Sequence, residues 1–168
     1  PNMYGYVVQI SHKSHMLLAD LYLSQHKIGL AKKMQDQALR ICSIDTARTS
    51  FSAKEYSYKF QALETLIEKQ SLYKLDEDSS TTALAQKEIK LGKELIHHIR
   101  RSFQLDGSKL NLARLSHRFF EVALTNTAES TQIIPKTINQ GKHFSLIEEG
   151  KSILLYESLL NQKARLGL

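Results

Sequence analysis

Apolar residues along this chain recur at three- and four-residue steps rather than at alternate positions, which is the period of helices buried on one face. From Val7 to Gln25 the apolar set is Val7, Val8, Met16, Leu17, Leu18, Leu21 and Tyr22. Gly29 breaks the pattern, and a second helix is predicted from Leu30 to Ile44, with Ala31, Met34, Ala38 and Ile41 on one face. The four-residue connection "HKIG" is short enough to make these two an antiparallel pair. A third helix is predicted from Ser52 to Tyr73 through Phe60, Leu63, Leu66 and Ile67. The polar stretch "LDEDSSTT" follows, where Ser79 to Thr82 offer N-cap oxygens to a fourth helix. That helix is expected from Thr82 to Phe103, with Leu84, Leu91, Leu95, Ile99 and Phe103 in one stripe. "LDGS" supplies the next break. Ser108 is a candidate N-cap for a fifth helix, Lys109 to Ala128, whose Leu112, Phe119, Phe120 and Ala123 point inward. "TQIIPKTINQGK" reads as irregular or as a short turn around Pro135, and a last helical region is expected from His143 to Arg165.

The pattern therefore predicts an all-α fold of about three hairpins, residues 4–45, 52–104 and 108–165, within one domain covering 1–168. Helix pairs in chain order are the signature of an α-solenoid, in which each pair buries its faces against its neighbours. A chain of 168 residues is the size of one ordinary domain. With 42% hydrophobic and 24% charged residues it is expected to be soluble and globular. Apolar runs such as Ile153 to Leu155 fall far short of the roughly 18 residues a membrane span needs, so no membrane association is expected. The start "PNMYGYVVQI" carries neither an initiator Met nor a secretion leader, and is read as the edge of a fragment from a longer chain. Cys42 is the single cysteine, which excludes an internal disulfide and suits a reducing cytoplasm.

A formal charge of +6 would suit an acidic partner. The basic residues, however, are mixed with acids, as where Glu88 and Glu94 interleave with Lys90 and Lys93. The densest patch, Arg100, Arg101, Lys109, Arg114 and Arg118, has no aromatic stacking platform beside it, so a solvated helix face is favoured over a nucleic-acid site. Candidate chemistry is sparse. His12 and His15 are helical neighbours able to chelate, but no third ligand accompanies them, and His97 and His98 point to different faces. Glu148 and Glu149 diverge on a helix beside Lys151, the arrangement of an ion-paired surface rather than an acid-base pair. Gly141 and Gly150 stand alone, so no phosphate loop is formed. Cys42 falls inside an apolar helical pattern and is read as a buried structural thiol. No metal, no cofactor and no catalytic residue are expected, and the chain is read as a non-enzyme.

One stretch carries more information. His15, Leu18, Ala19 and Tyr22, the turn "QHKIGLA", then Ala31 and Ala38, resemble a tetratricopeptide repeat, in which small residues let the two helices approach closely. "FQALETLIEKQSLYKL" is similar to a degenerate second copy, with Phe60, Leu63 and Ile67 at the bulky positions and "KQSLY" as the turn. This resemblance implies a right-handed α-solenoid whose packing residues are Leu18, Ala19, Tyr22, Ala31, Ala38, Phe60, Leu63 and Ile67. It also implies a peptide-binding groove lined by Lys13, Met16, Asp20 and Leu23 from the first pair and by Tyr58, Gln61, Thr65 and Glu68 from the second. The Lys, Arg and Asn set with which chaperone-binding members hold a terminal carboxylate is absent apart from Lys13.

The C-terminal half, with Phe144, Glu148, Lys151, Ser152, Leu154 and Leu155 in register, resembles the helical segment that follows such repeats in bacterial proteins ending in a CHAT domain, a caspase-like peptidase module. The family's catalytic His and Cys belong to that domain, expected just beyond Leu168, and no residue here takes their roles. The resemblance thus implies an interaction scaffold whose partners are a protein or peptide and an attached peptidase domain. The alternatives are a stand-alone peptide-binding repeat protein and, less favoured, a basic module gripping nucleic acid with Arg114 and Arg118.

Overall fold

The computed structural model describes residues 3–42, 44–45, 50–51, 56–73, 79–102 and 106–130, with residues 147, 148, 150, 151, 155, 158, 159 and 162 of the C-terminal stretch. Its helices are α1 (Met3–Ser24), α2 (Ile28–Ile41), α3 (Tyr56–Leu72), α4 (Ser79–Ser102) and α5 (Asp106–Ser130). The described residues of 147–162 are also helical. The architecture is all-α, as the helical period predicted. Phe103, the stretch around Pro135, Phe144, Ser152 and Leu154 lie outside the described residues.

Two local expectations are corrected. The second helix does not run on to Ile44. It stops at Ile41, and the next residues form a minimal antiparallel ladder between β1 (Ile44–Asp45) and β2 (Ser50–Phe51), with Ile44 opposite Phe51 and Asp45 opposite Ser50. No strand was expected.

Nor does Gly29 end the first helix. Gly29 lies inside α2, and the break falls at Gln25 to Lys27. There the amide of Lys27 donates to the Tyr22 carbonyl at 2.8 Å and that of His26 to the Leu23 carbonyl at 2.9 Å. This is a Schellman cap, which needs a left-handed residue just past the helix. Here it is His26, with φ of 57°, where glycine is the usual choice.

The chain divides into two compact units, Pro1–Leu95 and Ile96–Leu168. In the first, α1 and α2 form a hairpin. Ala19 and Ala31 are fully buried and share a cluster with Leu72 of α3, against which Tyr22, Leu23 and Met34 pack. The alanines therefore stand where helices meet, and the small side chains are what allow the approach. Ala38 is also fully buried.

α3 is enclosed almost all round. Ala62, Leu63, Thr65, Leu66, Ile67, Lys69, Gln70 and Leu72 are buried, and only Glu64, Glu68 and Ser71 of its described side chains are exposed. Each fully buried Leu or Ile contributes about 1.5–3 kcal/mol relative to exposure, so α3 is the centre of this unit's core. α1 differs in a telling way. Its inner face buries Val8, His12 and Ala19, yet Tyr6, Val7, Ile10, Leu17, Leu18 and Leu21 are 41–65% exposed on its outer side.

In the second unit α5 buries Leu112, Leu115, Phe119, Phe120 and Ala123. The Phe119 and Phe120 rings meet edge to face at 5.7 Å. Gly150 lies against Phe120, where an added methyl would sit 3.7 Å from its Cβ, ordinary contact distance.

Candidate functional site

Two polar constellations stand out, both in the first unit. The first joins α1 to α3. Thr65 of α3 is fully buried and its hydroxyl lies 2.8 Å from His12 Nε2, 2.9 Å from the Gln61 carbonyl and 3.6 Å from Met16 Sδ. A carbonyl only accepts, so the Thr65 proton goes to Gln61 O and its oxygen accepts from His12 Nε2–H. Burial holds the pKa of His12 below its ordinary value, and the neighbouring His15 lowers it further. His15 in turn donates Nδ1–H to the Ser11 carbonyl at 2.8 Å. The two histidines thus have separate partners. Among the described residues no group of three His, Cys, Asp or Glu side chains is placed to hold a metal.

The second constellation was not anticipated. Lys69 of α3, with a side chain 2% exposed, bonds to Glu88 of α4 and, at 2.5 Å, to Asp36 of α2. Gln70 adds hydrogen bonds to the Ala85 carbonyl at 3.2 Å and to Glu88 Oε2 at 3.4 Å. The Tyr73 ring, one residue past α3, carries the Lys32 ammonium 4.6 Å from its centroid. Burial raises the pKa of Glu88, Lys69 opposes that shift, and Asp36 reinforces it. One cation shared by two carboxylates on different helices is a structural clasp: each charge is costly to bury alone and tolerable only with its partners.

The residues predicted to line a groove differ in exposure. On α1, Lys13 and Asp20 are exposed, while Met16 and Leu23 are half-buried and turned towards Thr65 and the alanine cluster. On α3, Glu68 is exposed and Gln61 half-buried, but Tyr58 and Thr65 are buried and do not line an open surface. The solvent strip of α3 runs through Glu64, Glu68 and Ser71, turned around the helix from the predicted face. Among the predicted packing residues, Ala19, Ala31, Ala38, Leu63 and Ile67 are buried, and Tyr22 and Phe60 half-buried. Leu18 is corrected: it is 41% exposed, because the inner face of α1 is centred on Val8, His12 and Ala19, and Leu18 falls at its edge.

Cys42 is buried, and burial pushes its thiol up to about 12, so it stays protonated at neutral pH and is a poor nucleophile there. Arg100, Arg101, Arg114 and Arg118 are exposed, and Arg114 donates to Asn111 at 3.3 Å. Lys151 pairs with Glu148 at 3.1 Å on an exposed surface. No helix among the described residues is long and apolar enough to cross a membrane.

No protein-family model, no curated protein and no solved structure matches this chain.

Proposed function

We propose that this chain is a non-catalytic protein-interaction scaffold, built as a right-handed tetratricopeptide-like solenoid and attached in its full-length protein to a caspase-like peptidase domain that it positions. The observation that carries the reading is the contact of α1 with both α2 and α3. Ala19 meets Ala31 within the first hairpin, and His12 reaches Thr65 in the first helix of the next. Successive hairpins whose first helices touch are what a stacked array requires.

Lys13 and Asp20 on α1 and Glu64 and Glu68 on α3 are exposed, and charges of both signs suit a peptide that itself bears both. A partner that binds one curvature of the array better than another shifts the attached domain in proportion to that difference.

Panning a peptide library against the chain tests the scaffold. Enriched peptides should bind less tightly to Lys13→Ala and Glu68→Ala variants of unchanged helicity, whereas binding indifferent to both overturns the groove. Reading the coding sequence after Leu168 tests the attachment. A His- and Cys-bearing caspase-like domain supports it, and a stop codon leaves a stand-alone peptide-binding protein.

A further inference from the structure

We propose that the chain self-associates through the outer face of α1, two copies packing antiparallel about a twofold axis beside Ser14. The inference does not depend on the scaffold reading. A conflict in α1 prompts it: a surface helix ordinarily turns polar residues to solvent opposite its buried face, yet Tyr6, Val7, Ile10, Leu17, Leu18 and Leu21 face solvent, at 65, 58, 50, 59, 41 and 51% exposure. Elsewhere in the described helices the exposed large apolar residues are single ones, Leu30 on α2, Leu84 on α4 and Leu110 on α5, and a set of three, Ile147, Leu155 and Leu159, in the C-terminal stretch, half the number on α1.

The spacing identifies a second copy as the occupant. Tyr6, Ile10, Leu17 and Leu21 follow steps of four, seven and four residues, a palindrome centred between Lys13 and Ser14. A twofold interface needs a self-complementary patch, residue i meeting j while j meets i. In an antiparallel pair this spacing sets Tyr6 opposite the partner's Leu21 and Ile10 opposite the partner's Leu17, all four from each copy in one seam.

Ser14 falls at the crossing point on the same face. It is small, and its hydroxyl already donates to the Ile10 carbonyl at 2.9 Å, so it admits a close approach without leaving an orphaned polar group. The six apolar side chains present on the order of 600 Å², the upper end of what a monomer exposes in one patch. With a rim of polar neighbours this approaches the roughly 800 Å² that each partner gives to a standard interface.

The test uses the whole chain. Sedimentation equilibrium should show a reversible dimer, and Leu17→Glu should weaken it tenfold or more with helicity and melting unchanged, since Leu17 is exposed. A short bismaleimide should link Ser14→Cys chains to one another, and should link Ile10→Cys to Leu17→Cys in a mixture more readily than either alone. Lys33→Cys, exposed on α2, should not link, and buried Cys42 should add no background. A monomer at every concentration, a dimer indifferent to Leu17→Glu, or linkage at Lys33 rather than Ser14 overturns the proposal. So does a monomer whose Ser14→Cys thiol resists labelling, because another part of the same chain then covers the face.

Discussion

Lys69 of α3 and Glu88 of α4, 19 residues apart in the chain, are bonded side chain to side chain with 2% and 1% of their side-chain surface exposed. Asp36 of α2 shares the same ammonium, so three helices converge on a single cation. Lys69→Met leaves Glu88 buried without its counter-charge and is expected to cost about 3 to 5 kcal/mol. Adding Glu88→Leu should restore most of the loss, because the remaining Asp36 is 38% exposed and keeps its water. Urea denaturation of the two single variants and the double variant measures the coupling. Equal and additive losses would mean that the pair is not coupled.

The alanine contact predicts a contrast between adjacent residues. Ala19→Leu and Ala31→Leu place a large side chain where helices meet and should each cost about 1 to 3 kcal/mol by overpacking. Leu18→Ala, at a position 41% exposed, should cost less than either. Thermal melts of the three variants decide the matter, and a Leu18→Ala loss larger than the alanine losses would mean the register of α1 is wrong.

His12 gives a pH dependence with a definite sign. Its pKa is lowered in the folded chain, so below about 6.5 the unfolded state binds the proton first and folding stability falls as the pH drops. His12→Gln keeps a donor for Thr65 and removes the titration. Wild type should therefore lose stability relative to His12→Gln between pH 8 and pH 5, as read from urea midpoints. A parallel pair of curves would show that His12 is solvated.

Cys42 predicts a kinetic result. Burial and a thiol pushed up to about 12 should make it inert to iodoacetamide in the native chain at pH 8 and reactive in denaturant. Rapid native labelling, followed by mass spectrometry, would place the thiol at the surface.

Helix identity was legible in the sequence because the apolar period survives at every long element, and the Ala19 and Ala31 contact was legible because only small residues tolerate such an approach. The rotation of α3 was not. Tyr58, Gln61, Thr65 and Glu68 form a plausible face on the wheel, but three packed sides leave only Glu64, Glu68 and Ser71 for solvent. Lys69 and Glu88 were missed because a lysine beside a glutamate, as in "EKQSLY", has the composition of an exposed turn. No signal in the sequence marked it: Lys69 falls at the edge of the polar arc that Gln61, Glu64, Thr65, Glu68 and Ser71 form on the α3 wheel, and enclosure there comes from the neighbouring helices rather than from spacing. The cap at His26 was hidden for a related reason, since a left-handed histidine leaves no mark in the sequence where a glycine would.

The enclosure of α3 also bears on how freely this sequence drifts. Where side chains on nearly every side are in contact, a substitution finds no direction in which to relax, and the core tolerates only changes that conserve volume. In a saturation library screened for folded protein, Glu64, Glu68 and Ser71 should accept most amino acids, and Leu63, Leu66 and Ile67 should accept only near-isosteric ones. Lys69 should then vary only together with its carboxylate partners. Three permissive positions along one helix amount to a barcode by which distant kin of this chain can be aligned when overall identity has faded.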